Sequence, residues 1–204
     1  MIAVASIDRL TARAPALWRA LAAMLVLCGL ILIVVESRAR ILRNGAEIRL
    51  RTAPVDPRDL FRGDYVVLAY DISTVRAADG ADRDLRRGEK VYVSLRAGPD
   101  GFAQVVAVAR ARPSGANGPV IGGRVLSTGA CLGGEDGAPC AGGRDGLRIA
   151  YGIETYFVPQ GSGRAIERTD RSRIEVVAAV SASGDAAIKR LLIDGRLVHA
   201  EPPY

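Results

Sequence analysis

Apolar and polar residues are distributed in two regimes along this chain. Sixteen consecutive uncharged residues run from Ala20 to Val35, and beyond Glu36 short stretches alternate apolar with polar side chains between clusters of Gly, Pro, Asp and Ser. Alternation with a period of two is the signature of half-buried strands. It predicts strands at Ala46–Thr52, Asp64–Ile72, Lys90–Ala97, Phe102–Arg110, Val120–Ser127, Leu147–Val158, Ile174–Ser181, Ala187–Ile193 and Leu197–Ala200. Gly98-Pro99-Asp100-Gly101, Ser183-Gly184-Asp185 and Asp194-Gly195 separate successive strands and read as hairpin turns. Residues 75–87 and 112–119, with few apolar side chains, read as loops or short surface helices. Long amphipathic helical periodicity is missing after the first regime, so the expected fold is mainly β: an antiparallel barrel-like or sandwich domain. The Gly122-Gly123 pair, inside an apolar run, suits the bulge or bend of a barrel corner and inclines the choice towards a barrel-like sheet.

The first regime predicts a membrane helix. Sixteen residues make about 24 Å of helix, short of a hydrocarbon core of about 30 Å. Extension back to Ala14, with Arg19 reaching to the interface and Trp18 as an aromatic anchor, supplies about 33 Å. Signal-peptide cleavage is the alternative, but the run ends in Val-Val-Glu-Ser-Arg and lacks a small-x-small site. Leu27 before Cys28 argues against a lipoprotein site, and Cys28 reads as a small apolar helix residue. Basic residues flank both ends of the span, so the charge count alone favours a cytoplasmic domain. Long domains translocate despite their charge, and Cys131 and Cys140 bracket a glycine-rich loop suited to a disulfide, which belongs outside the cytoplasm. The resulting expectation is a cytoplasmic tail at 1–13, a transmembrane helix at 14–35, a linker at 36–45 and an extracytoplasmic β domain at 46–204. That places a single-pass protein in the inner (cytoplasmic) membrane, with the domain close to the lipid surface.

Charge and composition narrow the function classes. The net charge of +6 comes almost wholly from dispersed arginine, since Lys90 and Lys189 are the only lysines, and no basic block interleaved with aromatics supports nucleic-acid binding. The single histidine, His199, lies far from the cysteines, and their spacing suits neither zinc nor a redox pair, so no metal or cofactor is expected.

The stretch Gly63-Asp64-Tyr65-Val66-Val67-Leu68-Ala69-Tyr70 carries the sharpest signal. Gly-Asp makes a tight turn, after which Tyr65, Val67 and Ala69 share one strand face and Val66, Leu68 and Tyr70 the other. The octapeptide, with the lead-in Pro54-Val55-Asp56-Pro57-Arg58-Asp59, resembles the GDYXXLXY family at every defined position, and Tyr151–Pro159 resembles that family's second block. Gln160 departs from the acidic residue often found after that proline. Pro57, Gly63, Asp64, Tyr65, Leu68 and Tyr70 are the motif positions read as structural. The resemblance implies a membrane-anchored protein outside the cytoplasm, working beside a multi-span membrane protein, and names no reaction.

Two readings of the site follow from the residues themselves. In the first, Pro54 and Pro57 stiffen a salt-bridged corner that shapes a surface for a membrane-protein partner. In the second, Arg58, Asp59, Asp64, Tyr70, Tyr151 and Glu154 converge on a small-ligand or hydrolytic site. Pro57 to Val66 superficially resembles the strand entry of signal-peptidase-like proteases. Ala53, Pro54 and Val55 occupy the region where those enzymes carry their serine, so no catalytic residue is assigned and a noncatalytic accessory protein is favoured.

Overall fold

The computed structural model describes residues 15–53, 65–76, 85–130, 146–157, 169 and 173–202. The chain divides into two units, one ending at Arg40 and one beginning at Ile41.

Helix α1 (Ala16–Asn44) is 29 residues long and starts beside Pro15, whose carbonyl accepts from the Trp18 amide at 3.0 Å. Its most apolar 18-residue window has a mean hydropathy of 2.5, long and apolar enough to cross a membrane, a property shared with signal sequences. Residues 36–44, expected as a linker, continue this helix. Loss of apolarity after Val35 does not end a helix, because Glu36 to Arg43 contains no glycine or proline and Arg40 Nε reaches Glu36 Oε1 at 2.9 Å one turn away. Termination falls at Gly45, whose amide donates to Ile41 O at 2.9 Å.

The second unit is built from antiparallel strands. One five-stranded sheet has the order β12-β11-β10-β1-β3, from Arg196–Ala200, Ala186–Ile193, Ile174–Val180, Ala46–Ala53 and Ala69–Tyr70. The other has the order β4-β8-β7-β5-β6, from Thr74–Arg76, Gly146–Ala150, Val120–Ala130, Lys90–Ala97 and Ala103–Ala109. A two-stranded ribbon pairs β2 (Tyr65–Val67) with β9 (Thr155–Phe157). Ile48, Leu50 and Val176 from the first sheet and Val91, Val93 and Ile149 from the second join one buried cluster. The mainly β architecture predicted by alternation is therefore present. Strand β10 is buried on both faces from Val176 to Val180, as a central strand between β1 and β11 must be.

The three turn signals lie where expected. Asp194 (φ 50°) and Gly195 (φ 73°) both adopt positive φ between β11 and β12, the requirement of a type I′ turn. Several other expectations are corrected. The octapeptide is not one strand but two, broken at Leu68, and its second half lies at a sheet edge. The face alternation survives the break, with Leu68 and Tyr70 buried and Val67 exposed. Leu147–Val158 likewise splits into β8 and β9 around residues 151–154, while Val75 and Arg76, expected to open a loop or short surface helix, belong to β4 (Thr74–Arg76) against β8. The glycine pair is not a bulge, since Gly122 and Gly123 stay in continuous register with Tyr92 and Val91, and the irregularities of β7 lie beyond Val125. Close packing explains Gly123 instead, since a Cβ there would stand 2.5 Å from Ile149 Cγ2, whereas one on Gly122 would meet Gly184 O at 3.4 Å, an ordinary contact.

Candidate functional site: two turns locked by tyrosines

Strand β3 ends at Tyr70 and the chain tightens at once into a 3₁₀ turn, Asp71–Ser73, whose Ser73 Oγ accepts from the Tyr70 amide at 3.4 Å. Opposite lies the turn Tyr151–Glu154, where Gly152 takes a φ of 78°. The two turns exchange phenols. Tyr70 Oη donates to Ile153 O at 2.6 Å, and Tyr151 Oη donates to Ile72 O at 2.6 Å. Glu154 secures the second turn from within, one carboxylate oxygen accepting from the Tyr151 amide and the other from the Gly152 amide at 2.9 Å. Its carbonyl accepts from the Leu68 amide at 2.7 Å, at the point where β2 gives way to β3.

Burial, and secondarily the nearby Glu154 carboxylate, hold the phenols of Tyr70 and Tyr151 well above their usual range. Both hydroxyls therefore stay protonated donors at neutral pH, as their carbonyl partners require. Neither is poised as a base or nucleophile.

Two further groupings escaped the sequence reading. Tyr156, on β9, shares a short hydrogen bond with Nδ1 of His199 on β12, their rings meeting edge to face at 5.6 Å. Burial, then Glu201, raises the Tyr156 phenol. A contact between residues 43 positions apart has no local signal. On the outer face of β1, the guanidinium groups of Arg49 and Arg51 lie 5.0 and 4.5 Å from the Phe102 ring, and Arg51 reaches Asp100 at 3.2 Å. A groove of about 400 Å³ adjoins Arg51, Asp71 and Asp100. There desolvation raises the Asp71 carboxyl, with Arg51 opposing and Asp100 reinforcing the shift.

Of the six binding candidates, the structure brings Tyr70, Tyr151 and Glu154 together. Arg58, Asp59 and Asp64 lie outside the described residues, as do Pro57, Gly63, Cys131 and Cys140. Tyr65 contributes its backbone to the ribbon, paired with Phe157. Leu68 is buried in the core. Among the described residues, no group of three or more His, Cys, Asp or Glu side chains could hold a metal ion.

The family model described as GDYXXLXY protein matches residues 27–191, most of the chain. The chain belongs to the GDYXXLXY protein family. Both turns of the locked corner fall inside the matched segment, which begins within α1 and ends in β11, whereas His199 and Glu201 lie beyond it. No match is found among curated proteins or solved structures.

Proposed function

We propose that this GDYXXLXY family member is a membrane-anchored, extracytoplasmic accessory protein, whose β domain offers a rigid surface to an integral membrane partner. The chain crosses the inner membrane once through α1, with its N-terminus in the cytoplasm and its β domain in the periplasm. One observation carries the accessory role. At the motif corner, both tyrosine hydroxyls and both oxygens of Glu154 are spent on backbone groups of the two turns. Side chains so committed support architecture rather than turnover, and they leave the hydrolytic reading without its Glu154 acid or base.

Site-specific photocrosslinking in intact membranes tests the proposal. Val67, exposed on the ribbon strand of the octapeptide, is replaced by a photoreactive amino acid. The expected result is a discrete adduct with an integral membrane protein. Adducts with lipid alone, or none from any exposed position of the ribbon, would overturn the accessory reading.

A further inference from the structure

A second opening in the β domain lies apart from the tyrosine-locked corner. It is a groove of about 720 Å³, within the range of about 300–1,000 Å³ typical of sites that enclose one small ligand. Its apolar wall includes Ile48, Leu95, Val177, Leu192 and Leu197. Leu197 is 59 % exposed, an aliphatic side chain left in water at the rim. The polar wall is unbalanced: Arg49, Arg96 and Arg190 face the groove against one carboxylate, Glu47.

That carboxylate is already saturated. Glu47 accepts from Lys189 Nζ at 2.8 Å and from Arg190 Nη2 at 2.6 Å, while Arg49 gives Nη2 to Glu175 at 2.7 Å. Arg96 makes no ion pair or hydrogen bond among the described residues. Each guanidinium carries five N–H donors, so Arg96 brings an unused fork and Arg49 and Arg190 retain donors to spare.

We propose that this groove binds a single-chain anionic amphiphile, its acyl chain along the Leu95–Leu197 wall and its carboxylate or phosphate head on Arg96. Charge complementarity selects the head and the apolar wall selects the tail. The proposal is independent of the protein partner, because it concerns different side chains and a different ligand class.

The test uses the full chain reconstituted in nanodiscs of phosphatidylcholine, with a diazirine-bearing fatty acid as probe and mass spectrometry of the labelled peptides. Saturable labelling of the segments around Leu95–Ala103 and Leu192–Leu197 is expected. Unlabelled palmitate and lysophosphatidylglycerol serve as competitors, and the stronger one identifies whether a free fatty acid or a headgroup lipid is the natural source. Hexadecanol, which keeps the chain and drops the charge, should compete about tenfold less well. Arg96→Gln should weaken palmitate competition about tenfold and leave hexadecanol unchanged, and Leu197→Asp should abolish labelling of both segments. Both positions are exposed, so circular dichroism should be unaltered. If Leu197→Asp disturbs β12, the Arg96→Gln comparison still decides. Labelling confined to α1, labelling that does not saturate, or equal competition by hexadecanol and palmitate would overturn the proposal.

Discussion

The reciprocal phenol bonds are the feature whose energetic weight can be worked out most directly. Tyr70 and Tyr151 are 1 % and 6 % exposed, so Tyr→Phe at either position keeps the ring packing and removes only a hydroxyl. Each substitution deletes a 2.6 Å hydrogen bond and strips Ile153 O or Ile72 O of its phenol donor. Leaving a buried acceptor unsatisfied costs about 1–3 kcal/mol, and a value near 1.5 is expected because the ring itself stays in place. In a domain of this size that corresponds to a Tm lowered by about 3–6 °C. The double variant should lose less than the sum. Both bonds fasten the same two turns, so once one is gone the turns separate more freely and the second bond holds less, giving a coupling of at least about 0.5 kcal/mol. Reversible thermal melts of the full chain in detergent, followed by near-ultraviolet circular dichroism, measure all four corners of the cycle. Single variants within about 0.5 kcal/mol of the parent, or strict additivity, would refute the claim that the two phenols lock one corner.

Three other outcomes follow. Because the folded-state pKa values of Tyr70 and Tyr151 lie above the ordinary 10.0, the folded chain keeps protons that the unfolded chain releases. Stability from these groups is therefore complete below pH 10 and falls as pH rises above it. Melts from pH 8 to 11.5 should show that decline, more weakly in the double Phe variant, and a flat profile would contradict it. Gly123→Ala should cost about 1–3 kcal/mol by forcing Ile149 aside, whereas Gly122→Ala, whose nearest neighbour stands at 3.4 Å, should cost clearly less in the same melts. Membrane-impermeant maleimide applied to intact spheroplasts after mild reduction should label Cys131 and Cys140, and labelling only from the cytoplasmic side would overturn the proposed topology.

What the sequence revealed was local. Alternation located most strands and the Asp194-Gly195 pair specified its own turn, because each depends on residues within a few positions. What it concealed depends on partners distant in the chain. Nothing near Leu68 says that the strand must change neighbours there. The cause is Glu154, whose carbonyl holds the Leu68 amide from 86 positions away, and β9, which claims Tyr65–Val67 before β1 claims Ala69–Tyr70. Gly123 misled for the same reason: a glycine demanded by a neighbouring strand looks, in sequence, like one demanded by a bend. At the site, Tyr70, Tyr151 and Glu154 were legible as belonging together through the two motif blocks. Their hydrogen-bond directions were not, since an aromatic residue at a strand end serves equally well as a contact or as a staple.

The spacing of the octapeptide now has a mechanical meaning. A two-residue interval places Leu68 and Tyr70 on the same face, so the chain can exchange β9 for β1 at Leu68 without turning its apolar side outward. Leu68 fills the core at the exchange point, and Tyr70 immediately fixes the outgoing chain to the opposite turn. The ribbon is tied at its base by Leu68, Tyr70 and Glu154, while Val67 stays exposed upon it. Ordering an interface before the encounter removes part of the entropic cost of association. A motif spent on internal bonds is therefore consistent with the proposed binding role, in which the corner would hold the base of the ribbon and the contacts would belong to the side chains that the ribbon presents.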